Sequence, residues 1–182
     1  MKIHNQEYQL LIGLGNPGKS YQNNRHNAGF LWIDFLLEKF SQQNFSITSK
    51  ITKEYQLWEI SEKNLYLFKP LLFMNNSGIA VKKYLAYQEK IQTVVLAHDD
   101  LDLELSQYKF SPKSPRAHNG VNSIEQTLPN LTMLHLRIGV DTRAGLRNEA
   151  GKDYLLKNFT PTEMPLLQNT FEKIWEEINT NS

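Results

Sequence analysis

The chain contains no cysteine. That absence excludes disulfides, thiolate nucleophiles and cysteine-held metal together, and it suits a reducing compartment such as the cytoplasm. No apolar run approaches the ~20 residues that a membrane-crossing helix requires. No apolar stretch follows Lys2, so the N-terminus does not read as a signal peptide. An excess of one charge is missing too. The 20 Lys and Arg against 19 Asp and Glu leave a net charge of +1, so any basic surface for a nucleic acid has to be local. Repeats, low-complexity tracts and linkers are absent, and 182 residues are one ordinary domain's worth, expected to fold as a single unit over 1–182.

What is present is an alternation of strand-like and helix-like segments. Tyr8 to Leu14 is a short apolar run closed by a Gly/Pro turn, as in a buried strand. Phe30, Ile33, Leu37 and Phe40 recur at helical spacing. Residues 44–50, 54–60 and 64–69 carry β-branched and aromatic residues in partial alternation and predict strands. Asn76-Ser77 is placed to cap a helix that turns Val81, Tyr84 and Leu85 inward. TVVLA, Thr93 to Ala97, reads as a strand buried on both faces, and Leu103 to Phe110 alternates like a more exposed one. Val121, Ile124 and Leu128 mark a helix, and Leu134 to Val140 a further strand. Thr160-Pro161-Thr162-Glu163 combines a cap, a first-turn proline and a capping-box glutamate ahead of Met164, Leu167, Phe171, Ile174 and Ile178. Strands interleaved with helices predict an α/β fold, one sheet with helices on both faces.

The stretch YQLLIGLGNPGKSYQNNRHNAGF at residues 8–30 contains Gly13-x-Gly15-x-x-Gly18, the spacing of a dinucleotide cradle. Two further conditions fail. A helix should open at Gly18, so that its N-terminal N–H groups meet a pyrophosphate, but the polar run KSYQNNRHN follows. The acidic residue due about 20 positions on should end a second strand, and Asp34 sits inside a helix pattern. A nucleotide-dependent oxidoreductase is set aside on that ground. Pro17-Gly18 instead predicts a type II turn, which holds Asn16 at the carboxyl end of a strand, where ligands of open α/β sheets collect. An Asx bond within its own turn is the local alternative for Asn16.

Polar groups stand at several other element ends: His26, Asn75, Asp99 and Asn119. Singly, Asn27, Asn75 and Asn119 read as helix caps, His98 as a structural histidine and Asp99–Asp102 as a solvated turn. Caps do not explain carboxamides at three strand-to-helix junctions. Each carboxamide offers donors and an acceptor without charge, which suits gripping a peptide backbone or a carbonyl oxygen that becomes negative. A histidine whose Nδ1–H is held by a carboxylate keeps Nε2 as a base towards water. With no cysteine and no Gly-x-Ser-x-Gly elbow, a histidine-activated water attacking a carbonyl derivative is the economical chemistry. The rival is a metal held by His98, Asp99, Asp100 and His26, although the close histidine spacing of a zinc site is missing.

Assembled in this order, the residues resemble bacterial-type peptidyl-tRNA hydrolase. The likeness runs from about Leu10 to Val140 and rests on GLGNPGKSYQNNRHNAGF, KPLLFMNNSG, AHDDLDL and HNGVNSI followed by LHLRIGV; beyond about residue 145 little carries it. The resemblance implies a single α/β domain with a twisted mixed sheet. It implies a metal-independent, cofactor-free carboxylic ester hydrolase that cuts the ester between peptide and tRNA and recycles tRNA from ribosomal drop-off products, as a monomer without an obligate protein partner. Carried over by position, His26 activates water, Asp99 orients it, and Asn16, Asn75 and Asn119 hold the peptide backbone and polarise the scissile carbonyl. Tyr21 and Met74 line the same cleft. Lys109 and Arg137 match the family's tRNA clamp, with Lys113 or Arg116 standing in for a second basic position near Ser111. The family's glycine-rich stretch before HNG reads SPKSPRAHNG here, which predicts a stiffer and more basic loop. A non-catalytic RNA-binding relative of the same fold is the alternative this substituted loop favours.

Overall fold

The structure is a computed structural model that describes residues 1–3, 6–88, 90–115, 117–143 and 150–180. Its strands and helices, in chain order, are β1 (Lys2–Ile3), β2 (Gln6–Glu7), β3 (Leu10–Gly13), α1 (Ala28–Gln42), β4 (Ile47–Ile51), β5 (Tyr55–Ile60), β6 (Leu65–Pro70), α2 (Ser77–Leu85), β7 (Thr93–Glu104), β8 (Tyr108–Ser111), α3 (Asn119–Thr127), β9 (Thr132–Asp141), α4 (Gly151–Leu155) and α5 (Met164–Thr180). Strands β1 and β2 form a small hairpin of their own. The other seven make one mixed sheet in the order β4-β5-β6-β3-β7-β9-β8. Its centre, β6-β3-β7-β9, is parallel, and the flanks β4-β5-β6 and β8-β9 are antiparallel.

The parallel centre is covered on both sides, as its unbroken apolar runs require. Alternate residues of one strand feed opposite cores. Leu10 and Ile12 of β3, with Val94 and Leu96 of β7, pack against Val81 and Tyr84 of α2 and Val121 and Ile124 of α3. Leu11, Val95 and Ala97 face the other way, towards Trp32, Ile33 and Leu36 of α1 and Phe171 and Ile174 of α5. The expected α/β sheet with helices on both faces is therefore the fold observed. No helix among the described residues is long and apolar enough to cross a membrane.

Two local expectations need correction. Leu103 to Phe110 is not one strand: β7 runs on through a register shift to Glu104, a turn follows, and β8 begins at Tyr108. Ser106 supplies the left-handed residue of that turn, at φ 81, so the turn carries no glycine to announce it. Pro17-Gly18 does not form a type II turn. Gly18 has φ 107 and ψ 149, far from the ψ near 0 of that turn, and no helix opens there. A short 3-10 turn, Lys19–Tyr21, follows instead, and α1 waits until Ala28. Asp34, the acidic residue weighed for a ribose, pairs with Lys69.

Candidate active site

Because β6, β3, β7 and β9 are parallel, their carboxyl ends share one edge, and the segments leaving them converge there. Asn16 lies three residues beyond β3. Met74 and Asn75 lie in a 3-10 turn, Met74–Asn76, beyond β6. Asp99 lies on β7 itself, and His118 and Asn119 sit at the start of α3. His26 belongs to a 3-10 turn, Arg25–Asn27, that leads into α1. Close approaches of α1 seat that turn on the sheet. Leu14 continues β3 beside β7, its N–H donating to Ala97 O at 2.9 Å, and Phe30 N–H of α1 donates to Leu14 O at 3.1 Å. Gly29 lies so near the strands that a Cβ there would stand 2.3 Å from Ala97 O.

His26 and Asp99, 73 residues apart in the chain, meet through Nδ1 and Oδ1 at 2.8 Å. The same Oδ1 receives Nε2 of His118 at 3.0 Å. The other ring nitrogen of His118, Nδ1, accepts from Gly120 and Val121 N–H at 3.2 and 3.3 Å and so caps α3. A nitrogen that accepts two N–H groups carries no proton. His118 is therefore a neutral ring whose Nε2–H donates to Asp99. His26 in turn donates Nδ1–H to Asp99, and among the described residues its Nε2 has no partner. Burial by itself would lower the His26 pKa. The neighbouring Asp99 charge and its hydrogen bond outweigh burial and leave that pKa raised above the ordinary 6.5. Burial would likewise raise the pKa of Asp99, which is 2% exposed, but the two histidines holding its carboxylate bring it well below the ordinary range.

Asn16 is fixed from both sides. Its N–H donates to Asn27 Oδ1 at 2.8 Å and its carbonyl accepts from Asn27 Nδ2 at 3.0 Å. Its own Oδ1 accepts from Met74 N–H at 2.9 Å. No Asx bond within its turn remains to it, and the Nδ2–H2 group is what Asn16 offers to a ligand. Asn27 is thus no helix cap; it makes no cap bond to α1. Asn75 and Asn119 are exposed, and α3 is capped by His118 rather than by Asn119.

These groups open onto a cleft of about 680 Å³. Asn16, His26, Asn75, His118 and Asn119 form its polar end. Tyr21, Phe73, Met74 and Leu101 line it as well, together with Gly151, Lys152, Leu155 and Leu156 from α4 and its end. The ring of Phe73 meets that of Tyr21 edge-on at 6.2 Å. Asn16, Tyr21, His26, Met74, Asn75, Asp99 and Asn119 are therefore brought together at one end of the sheet. Phe73 and the α4 wall were not singled out in the sequence, since exposed apolar residues carry no signal of their own.

The metal set weighed from the sequence does not assemble. His98 is fully buried, and its Nδ1 lies 2.9 Å from Asp99 O, the backbone oxygen. Asp100 accepts from Asp102 N–H and pairs with Arg137. Among the described residues the atoms that converge belong to His26, Asp99 and His118, and Nδ1 of His118 is already committed to the α3 cap.

Of the basic residues assigned to a tRNA clamp, Lys109 on β8 stands directly opposite Arg137 on β9. Arg137 is pinned to Asp100. Lys113 is exposed in the loop after β8, and Arg116 lies outside the described residues.

Residues 10–181 match the family described as peptidyl-tRNA hydrolase. The match continues well past Val140, where the quoted motifs end. The chain is 37% identical over 178 residues to a peptidyl-tRNA hydrolase of Mycoplasma mycoides, over 94% of this chain and 91% of that one. It is 36% identical over 174 residues to one of Rickettsia bellii, over 93% and 91%. The crystal structure of peptidyl-tRNA hydrolase from Acinetobacter baumannii superposes with a TM-score of 0.77 at 23% identity, over 96% of this chain and 95% of that chain, which is a likeness of fold.

Proposed function

The chain belongs to the peptidyl-tRNA hydrolase family, and we propose that His26, held by Asp99, is the base with which it cleaves the ester between peptide and tRNA. The reaction is hydrolysis of peptidyl-tRNA, and it serves the return of tRNA from prematurely released peptides. The carrying observation is the 2.8 Å bond between His26 Nδ1 and Asp99 Oδ1 beside three carboxamides.

The chemistry runs from that bond. Nε2 of His26 takes a proton from water, and the oxygen attacks the ester carbonyl carbon. The carbonyl oxygen becomes an oxyanion facing the amide donors of the polar end, Asn16 Nδ2 among them. Collapse of the intermediate breaks the bond to the terminal ribose oxygen, which recovers the proton from Nε2–H. Peptide acid and tRNA leave. Asp99 remains ionised throughout and stabilises the imidazolium, as its lowered pKa requires. General-base assistance of roughly 10²–10⁴-fold and oxyanion donors of roughly 10²–10³-fold each are the scale such an ester needs. Asn75 and Asn119 hold the peptide backbone, and Tyr21 and Met74 line its path. Lys109, Lys113, Arg116 and Arg137 contact tRNA phosphates, and binding weakens steeply with salt. The protein acts in the cytoplasm as a monomer.

The test uses N-acetyl-aminoacyl-tRNA and follows release of the acylated amino acid by wild type and by His26→Ala. The variant is expected to lose about 10²–10⁴-fold in kcat. Wild-type turnover by the variant defeats the assignment of the base. No turnover by either protein would favour the non-catalytic RNA-binding alternative.

A further inference from the structure

Arg25 precedes the base by one residue and takes no part in the proton transfer, yet it is buried to 5% exposure. Its Nη2 donates to both carboxylate oxygens of Glu163 at 2.7 Å. Its Nη1 donates to Asn158 O at 2.8 Å and Lys157 O at 3.3 Å. The guanidinium lies over the ring of Tyr154 at 4.3 Å and near that of Phe159 at 5.5 Å. The backbone repeats the link: Arg25 N–H donates to Lys157 O, Phe159 N–H donates to Asn23 O, and Asn24 pairs with Asn158 in an isolated antiparallel bridge. All these partners lie in residues 154–163, the end of α4 and its connection to α5.

Helix α4 has 5 residues, too few to stand without tertiary support. A cation on the carbonyls beyond its C-terminal end favours the helix and fixes where it ends. Glu163 anchors that cation in turn. Oε2 accepts Thr160 N–H at 2.7 Å, and Oε1 accepts the hydroxyl of Thr142, beyond β9, at 2.8 Å. Tyr154 closes the frame by donating to Val140 O at 3.0 Å. One planar fork thus joins the turn that carries His26 to the wall formed by Leu155 and Leu156, which line the same cleft.

We propose that Arg25 is a positioning residue for the peptidyl half of the substrate: through Glu163 and the carbonyls beyond α4 it sets the gap between His26 and the Leu155–Leu156 wall, and so sets which acyl groups the cleft accepts. The proposal rests on the reading that this cleft takes the peptide of peptidyl-tRNA. Lysine cannot replace the fork, since it offers a point charge in place of paired planar donors.

The experiment compares wild type, Arg25→Lys and Glu163→Gln on N-acetyl-leucyl-tRNA and N-acetyl-glycyl-tRNA. In both variants KM for the leucyl substrate should rise about tenfold, the worth of one charge-assisted hydrogen bond. KM for the glycyl substrate and kcat for both should stay within about threefold of wild type, and the acid limb of the pH profile should not move. A merely structural defect reduces the active fraction and lowers kcat on both substrates together. That result, or an unaltered leucyl-to-glycyl ratio, overturns the proposal. Glu163→Gln keeps the volume of the buried side chain, so the comparison stands even where Arg25→Lys folds poorly. A failure of the base assignment shows separately, in His26→Ala, where Arg25 and its partners are intact.

Discussion

At His26 two opposing forces meet. Burial disfavours the imidazolium and the Asp99 carboxylate favours it, with the carboxylate prevailing. At Asn16 the decision is geometric: Oδ1 accepts from Met74 N–H, which leaves the amide hydrogens to a ligand. Asn16→Asp keeps that acceptor and removes the donor. It is expected to lower kcat on the order of 10²–10³-fold with little change in KM; steady-state kinetics showing an unchanged kcat would refute the donor role. His26, Asp99 and Asn16 were legible because each is polar and stands at the end of a strand whose apolar run is plain. Asn27 was not. An Asn before a helix reads as a cap, and nothing local tells that its amide pairs with the backbone of Asn16, 11 residues away. The commitment of both His118 nitrogens was hidden for the same reason, since one of its partners, Asp99, is 19 residues away in the chain.

Among elements, the crossing of α1 over β3 and β7 decides where the turn that carries His26 sits. Gly13 and Gly29 make it possible, for a Cβ at Gly13 would stand 2.3 Å from Gly29 O. Backbone atoms on the receiving side cannot step aside as a flexible side chain can. Gly29→Ala is expected to destabilise the fold by about 1–3 kcal/mol or more and to shift His26, measured as a lower thermal midpoint and a lower kcat together; an unchanged midpoint contradicts the close approach. The glycines of GLGNPG thus serve helix packing and a backbone path at Gly18, not a phosphate. The central strands and all long helices were legible from their periods, but the caps expected at Asn27, Asn76 and Asn119 make no side-chain cap bond. The turn between β7 and β8 was not legible, because Ser106 turns the chain in a left-handed conformation without glycine or proline to mark it. The capping box at Thr160 and Glu163 was legible and formed; that Glu163 also grips Arg25 is a long-range fact with no local sign.

Over the whole molecule, stability should depend on acid through the buried histidines. His98 faces His118, His135 and Asp99, and burial holds its pKa well below 6.5. His135 faces Glu125, Arg137 and His118, and burial lowers its pKa as well. Below pH 6.5 the unfolded chain binds protons at both that the folded chain refuses, so stability falls as pH falls, by up to about 1.4 kcal/mol per pH unit for each group. His26 works the other way: its folded pKa is raised, so its contribution is complete below 6.5 and fades as pH rises through the folded value. Two groups against one leave a net loss on acidification, joined below 3.8 by Asp99, whose folded pKa is lowered. The thermal midpoint should fall between about pH 6.5 and 4.5, and His135→Gln should flatten that fall; a level wild-type curve would contradict the buried neutral histidines.

The dyad itself is tested most directly by kcat/KM against pH, for wild type and Asp99→Asn, on N-acetyl-aminoacyl-tRNA. The wild-type rate should drop on the acid side with a midpoint above 6.5, the ordinary histidine value. In Asp99→Asn, burial acts unopposed, so the midpoint should move below 6.5 while kcat falls more than tRNA affinity does. A midpoint that stays in place when the carboxylate is neutralised, or a wild-type rate indifferent to pH across this range, would show that another group takes the proton.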